Sequence, residues 1–196
     1  MQSPDPIESE KASLRREALT RRNAIPADSR AAAALAIAER PLPFALPANA
    51  VASGFMPLKS EINPVPLMRK LSDAGARLAL PVVVGRGKPL VMRAFAFGDL
   101  LASGVWGIRE PRRNAPELKP DILLVPLLAF DRSGYRIGYG AGYYDLTITS
   151  LRSMKPLLAV GIAFAAQEVP QVPKTARDAR LDLVLTEREV IRCPQA

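Results

Sequence analysis

The sequence predicts an α/β domain, in which a mostly parallel sheet is covered on both faces by helices. Short apolar runs of strand length alternate with helical stretches along the chain. Several of those runs are apolar throughout, the pattern of strands buried on both faces. The chain has 196 residues, 48% hydrophobic and 23% charged, which suits a single domain with a sizeable core spanning 1–196. No linker divides it, and no internal repeat or low-complexity tract is present.

Each element has a local reason. Asp5-Pro6-Ile7-Glu8 opens a helix: Asp5 caps, Pro6 suits the first position and Glu8 stands where a capping box puts its acid. That helix runs to about Arg22 with a thin apolar stripe of Ile7, Leu14, Ala18 and Ile25. Lys11 and Arg15 lie four apart and share a face. An alanine-rich helix from Ala27 to Arg40 stops at Pro41 and Pro43. Ala50–Met56 reads as a buried strand, Asn63–Ala74 as a helix closed by Gly75. Arg77–Val84 and Leu90–Phe95 are strands around a turn at Gly85 and Gly87. Ile122–Leu128 is the central strand. A helix from Gly142 to about Ser153, a strand at Leu157–Ile162 and a short final strand at Leu181–Leu185 complete the order. The 19 prolines, roughly twice the usual share, fall mostly in loops and at element ends.

Composition excludes much chemistry. The chain has no histidine, so it holds no Ser-His-Asp triad, no His base and no His-ligated zinc. Its one cysteine, Cys193, cannot make an internal disulfide or a thiolate metal site. Catalysis falls to carboxylates, Lys, Arg, Tyr, hydroxyls, backbone amides or a hard metal ion. The net charge of +8 attracts anions, but the basic residues are scattered and form no run of five. The beginning, MQSPDPIESEK, lacks the basic start and apolar stretch of a signal peptide. The longest strongly apolar stretch, Ile122–Phe130, is too short to span a bilayer. The expectation is a soluble cytoplasmic protein that needs neither membrane nor nucleic acid, working as a monomer.

The chemistry concentrates between Val125 and Asp145. All four tyrosines of the chain, and four of its twelve glycines, lie between 134 and 144. Gly138, Gly140 and Gly142 let the backbone approach a ligand closely, and successive N–H groups can point into one concavity suited to an anion. The following helix adds unpaired N–H groups and a partial positive charge. Arg136 supplies a fork of donors for phosphate oxygens, and as a loop arginine it is expected to be exposed and to matter little for stability. Asp145 suits a magnesium ion bridging phosphates. A tight turn with packing aromatics would use the same residue types. The loop is neither a Walker A sequence nor a dinucleotide fingerprint.

The stretch Val125-Pro-Leu-Leu-Ala-Phe-Asp131, a turn, then Arg136-Ile-Gly-Tyr-Gly-Ala-Gly-Tyr-Tyr-Asp145 resembles the signature of the 5-formyltetrahydrofolate cyclo-ligase family, also called methenyltetrahydrofolate synthetases. That signature reads V-P-x-x-A-F-D, then R-L-G-x-G-x-G-Y-Y-D. The resemblance implies a three-layer α/β/α domain. It also implies ATP-dependent cyclisation of 5-formyltetrahydrofolate to 5,10-methenyltetrahydrofolate, with transfer of the γ-phosphoryl group to the formyl oxygen. ATP then lies against Lys11, Arg15, Arg136, Ile137, Gly138, Tyr139, Gly140, Ala141, Gly142, Tyr143 and Tyr144, with Arg136 and Tyr144 catalytic. Folate lies against Met56, Glu61, Trp106 and Tyr143, and Mg²⁺ is held by Asp145 and Asp182. Outside the resemblance, Lys11 and Arg15 read as a solvated helix face, Glu61 as a helix-start acid, Trp106 as a core residue and Asp182 as a strand-start acid. Arg177 stands where the family has histidine, Leu146 where it commonly has arginine, and Ala141 at a position basic in some relatives. Asp131 has good turn chemistry and is structural. A paralogous ATP-using ligase on the same fold, and a basic nucleic-acid-binding module, are the other readings.

Overall fold

The computed structural model describes residues 6–194. In chain order the elements are α1 (Pro6–Asn23), α2 (Ala27–Glu39), β1 (Val51–Ser53), α3 (Val65–Asp73), β2 (Arg77–Val82), β3 (Val91–Phe95), β4 (Ala102–Ser103) and β5 (Arg109–Glu110). There follow β6 (Ile122–Pro126), β7 (Ala129–Phe130), β8 (Arg136–Ile137), α4 (Tyr143–Arg152), β9 (Leu158–Ile162), β10 (Leu183–Leu185) and β11 (Val190–Arg192). The expected helices and main strands are all present, with ends shifted by a few residues. The capping assignment of Asp5 lies outside the described residues.

Seven strands form one sheet in the order β11-β10-β9-β6-β1-β2-β3. The five inner strands are mutually parallel, and β3 and β11 close the two edges antiparallel. The expected final strand is therefore followed by another, β11. It was illegible because Glu187-Arg-Glu189 before it reads as solvated chain.

Strand parity divides the core into two layers. Ala52, Leu78, Leu80, Ile122, Leu124, Val160 and Ile162 point to one face and pack with Ile37 of α2 and Leu67, Met68 and Leu71 of α3. Val51, Ala79, Leu123, Val125, Ala159 and Val184 point to the other and pack with Ile148 and Leu151 of α4. The result is the three-layer α/β/α arrangement. Each fully buried Leu or Ile adds roughly 1.5–3 kcal/mol relative to exposure, so both layers are held chiefly by apolar burial.

α1 belongs to neither layer. Its Ala18 packs with Leu128, Ala129 and Ile137 of the β7–β8 hairpin and with Val169 and Val172. The helix thus lies across the end of the sheet from which β6 emerges. Among the described residues, no helix is long and apolar enough to cross a membrane.

Candidate active site

The sheet changes winding direction between β1 and β6: β2 lies on one side of that pair, β9 and β10 on the other. Where winding reverses, the loops leaving the carboxyl ends of adjacent strands diverge and leave a crevice. The segment Gly54–Glu61 leaves β1 at this point, and the β7–β8 hairpin with its glycine loop follows β6. α1 crosses the same end. Three stretches far apart in sequence therefore furnish one place.

Lys11, Arg15, Ala18 and Arg22 follow one another at steps of four, three and four, a single stripe on α1. This stripe, rather than Ile7 and Leu14, carries the buried residues Lys11, Ala18 and Arg22. The solvated-face reading of Lys11 and Arg15 is thereby excluded. The Lys11 ammonium donates to both carboxylate oxygens of Asp178, at 2.8 and 2.6 Å. Asp178 also accepts the Thr175 N–H at 2.6 Å and hydroxyl at 3.0 Å. Burial acts to raise the Asp178 carboxyl, but Lys11 and Thr175 together hold it below the ordinary aspartate value.

Arg15 runs along the glycine loop. Its Nε donates to the Gly138 carbonyl at 3.1 Å. A Cβ on Gly140 would stand 3.3 Å from the Arg15 guanidinium carbon, and Gly140 has a φ of +95°. Only glycine allows that backbone and that approach together. Tyr139, Gly140, Ala141 and Gly142 are exposed, so the loop presents its backbone to solvent. Ile137 is buried against α1 and anchors the loop rather than lining it.

Arg136 is not the exposed loop arginine expected from the sequence. It sits in β8 with its side chain 4% exposed. Its Nη1 donates to the Ala179 carbonyl at 2.6 Å and its Nη2 to Asp145 Oδ1 at 2.9 Å. The same Oδ1 accepts the Ala179 N–H at 3.0 Å. One guanidinium thus ties the start of α4 to the 173–180 segment. Burial pulls its pKa below the usual arginine value, against the pull of Asp145.

On the β1 side, Glu61 has a side chain 7% exposed. Its Oε2 accepts the Leu58 N–H at 2.8 Å, closing the turn after β1. Burial pushes its carboxyl above the ordinary glutamate value, opposed by the Leu58 N–H and by Arg22. Met56 is half-buried and packs against the core on the α2–α3 face. Tyr144 has its phenol pushed well up by burial, and further by the Glu61 charge. Both effects favour the neutral, hydrogen-bond-donating form of the phenol. Trp106 is 64% exposed, which excludes the core reading. It lies in a 3₁₀ turn at φ 59°, with its ring 6.2 Å from that of Tyr143. The two ring planes are tilted by 58° to each other.

The two expected metal carboxylates do not converge. Asp145 lies in the first turn of α4, at the carboxyl end of the sheet. Asp182 accepts from Arg152, the last residue of α4, at 2.8 Å and from the N–H of Ala159, at the start of β9, at 2.7 Å. Arg152 is about 10 Å further along the helix axis than Asp145 at 1.5 Å per residue. Asp182 is thus the strand-start acid. Among the described residues, no three acids or cysteines gather in one place. Asp178 stands nearer the loop, since its chain neighbour Ala179 is the residue bonded to Asp145.

Sequence reasoning missed Asp178 and Arg22. Asp178 was marked only by its place as the first aspartate of Arg177-Asp178-Ala-Arg-Leu-Asp182. Arg22 was marked only by its helical step from Lys11 and Arg15. Asp131 is structural as expected: its carboxylate accepts the N–H groups of Ser133, Tyr135 and Val172.

The model of the 5-formyltetrahydrofolate cyclo-ligase family matches residues 7–187. The chain belongs to that family. The matched span holds every candidate residue from Lys11 to Asp182, including those the fold brings together from its two ends. Among cyclo-ligase relatives, the 5-formyltetrahydrofolate cyclo-ligase of Mycolicibacterium smegmatis is 33% identical over 148 residues, covering 70% of this chain and 73% of the relative. The one from Escherichia coli K12 is 32% identical over 142 residues, covering 69% and 77%. The solved 5,10-methenyltetrahydrofolate synthetase of Aquifex aeolicus superimposes with a TM-score of 0.77 at 29% identity, over 95% of this chain and 94% of that one.

Proposed function

We infer that this chain is an enzyme that closes 5-formyltetrahydrofolate to 5,10-methenyltetrahydrofolate with ATP, releasing ADP and phosphate. The observation that carries this is the meeting of α1 and the glycine loop: Arg15 lies on Gly138 and Gly140 at the switch-point crevice, in a member of the cyclo-ligase family. The formyl oxygen attacks the γ-phosphorus and the bond to ADP breaks. The neighbouring aniline nitrogen then attacks the activated carbon, gives up its proton, and phosphate leaves with the former formyl oxygen. Little acid–base work is asked of the protein, which suits a chain without histidine. Its task is alignment and stabilisation of phosphate charge.

The exposed backbone of the glycine loop and the Arg15 guanidinium receive the phosphates. Lys11, held by Asp178, lies one helical turn away on the same stripe. Arg136 fixes Asp145 beside the loop exit and adds a buried positive charge beneath it. Tyr144, kept protonated, donates a hydrogen bond at the reacting end, and Trp106 with Tyr143 takes the flat part of the folate, with Met56 and Glu61 completing its pocket. The magnesium that accompanies ATP suits Asp145, whose Oδ2 takes no hydrogen bond among the described residues. Asp178 holds Lys11 and Thr175 with its two oxygens and is therefore a positioning carboxylate rather than a metal ligand. Bound magnesium supplies neutralisation of charge on the phosphate oxygens. On this reading the single domain 1–196 works as a cytoplasmic monomer on dissolved small molecules, with neither nucleic acid nor a membrane surface.

The test is isotopic. With ¹⁸O in the formyl group, the released phosphate should carry one ¹⁸O atom per turnover. Label appearing in water and none in phosphate would exclude phosphoryl activation.

A further inference from the structure

Arg22 is among the most buried side chains of the protein, 1% exposed, yet it is charged. Its Nε donates to the Ser60 hydroxyl at 3.1 Å, and that hydroxyl donates to Asn23 at 2.5 Å. Its Nη2 donates to the Tyr139 hydroxyl at 2.7 Å. Its Nη1 has no hydrogen-bond partner among the described residues. Glu61 Oε1 stands 3.9 Å from Nη1, beyond hydrogen-bond reach but within ion-pair distance. A buried donor without a partner is costly, and more so when it is charged. The network therefore stops one short movement away from full satisfaction.

The two ends of this arginine belong to different halves of the crevice. Glu61 closes the turn after β1, on the side assigned to folate. Tyr139 stands between Gly138 and Gly140, on the side assigned to ATP. Tyr139 is half exposed, and the loop around it is open to solvent, so it can move when the loop is filled. We propose that Arg22 is a positioning residue that couples the two substrate sites: ordering of the glycine loop through Tyr139 closes the Nη1–Glu61 gap, and filling of the folate side does the converse. This rests on the ATP and folate assignments above. The groups facing Glu61 are Arg22 from α1, Tyr139 from the loop, whose hydroxyl bonds Glu61 as well as Arg22, and Tyr144 from α4. Arg22 is the one cation among them, so closure of the gap favours the ionised Glu61.

The test is a binding cycle with no turnover. Affinity for 5-formyltetrahydrofolate is measured by calorimetry with and without the Mg²⁺ complex of a non-hydrolysable ATP analogue, in the wild type, Tyr139→Phe and Arg22→Gln. A coupling of at least about fivefold is expected in the wild type, equal in both directions by linkage. It should fall to within twofold in both variants, while each ligand alone still binds. A role in folding alone would lower thermal stability without removing the coupling. Tyr139→Phe keeps the ring and removes only the hydroxyl that joins the loop to Arg22 and Glu61, so it tests the link even if Arg22→Gln fails to fold. Arg22→Lys, which keeps the charge but not the fork, separates Arg22 from a direct Tyr139–Glu61 route by losing the coupling. Wild-type coupling below twofold, or undiminished coupling in Tyr139→Phe, would overturn the proposal. Turnover with uncoupled binding would overturn it while leaving the cyclo-ligase reading intact. Failure of the wild type to bind either ligand would remove both.

Discussion

Replacing Gly140 with alanine should weaken ATP binding far more than folate binding. Two costs coincide at this residue. Its φ of +95° is disfavoured for any side-chain-bearing residue, and a Cβ would press on the Arg15 guanidinium carbon at 3.3 Å. Holding a left-handed backbone costs an L-residue about 1–2 kcal/mol. If the loop relaxes to escape that strain, the same free energy must be returned when ATP reorders it. At 1.4 kcal/mol per tenfold, the nucleotide dissociation constant should rise roughly five- to thirtyfold. Gly138 and Gly142 serve as references, because a Cβ at either meets nothing within 4 Å, and Gly138 lacks a positive φ. Gly138→Ala should leave the free loop undisturbed, so any loss there reports contact with the ligand itself. Separate titrations with the Mg²⁺ complex of the ATP analogue and with 5-formyltetrahydrofolate, alongside a melting curve, make the comparison. Equal losses for the two ligands, or an unchanged nucleotide affinity, would refute the placement of Gly140 against phosphate.

Arg136→Ala should cost both stability and turnover. Breaking its partly buried pair with Asp145 is worth about 2–3 kcal/mol, below the full range for a wholly buried pair because Asp145 is partly exposed, and loss of phosphate-charge stabilisation lowers the rate on the order of 10²–10³. Denaturant titration and steady-state kinetics on the same preparation separate the two. Asp145→Asn should raise the Mg²⁺ concentration needed for activity, whereas Asp182→Asn should lower stability through Arg152 and leave the Mg²⁺ requirement unchanged. Lys11→Met should alter the acid limb of the stability profile. Asp178 has a depressed folded pKa, so its contribution is present above the unfolded value of 3.8 and lost as pH falls through the folded value. Without Lys11 that loss should begin at higher pH, as acid titration followed by circular dichroism will show.

The layers of the fold were legible because they rest on local pattern. Ile122–Pro126 and Leu158–Ile162 are strands buried on both faces, and their continuous apolar runs say so. The β7–β8 hairpin was hidden within the signature stretch, since each of its strands is two residues long and carries no period. The site was legible as a loop and as a family likeness, but not as a set of partners. Nothing local distinguishes Lys11, which reaches across 167 positions to Asp178, from a solvated lysine. Arg136 looked exposed because glycines follow it, although its partners Asp145 and Ala179 arrive from α4 and the 173–180 segment. Asp182 looked like a ligand because it matches the second aspartate of the family's pattern, whereas the residues alone read as a strand-start acid. Its use by Arg152 and the Ala159 N–H depends on how α4 lies against the sheet, which only the assembled fold fixes.

The most direct measurement follows methenyltetrahydrofolate by its absorbance, using purified protein, 5-formyltetrahydrofolate and MgATP, with ADP and phosphate assayed in the same samples. Growth of the methenyl chromophore matched one to one by ADP and phosphate, and absent when ATP is withheld, is the expected result. ATP hydrolysis without chromophore, or chromophore without ATP, would contradict assignment of this crevice to phosphoryl-activated ring closure.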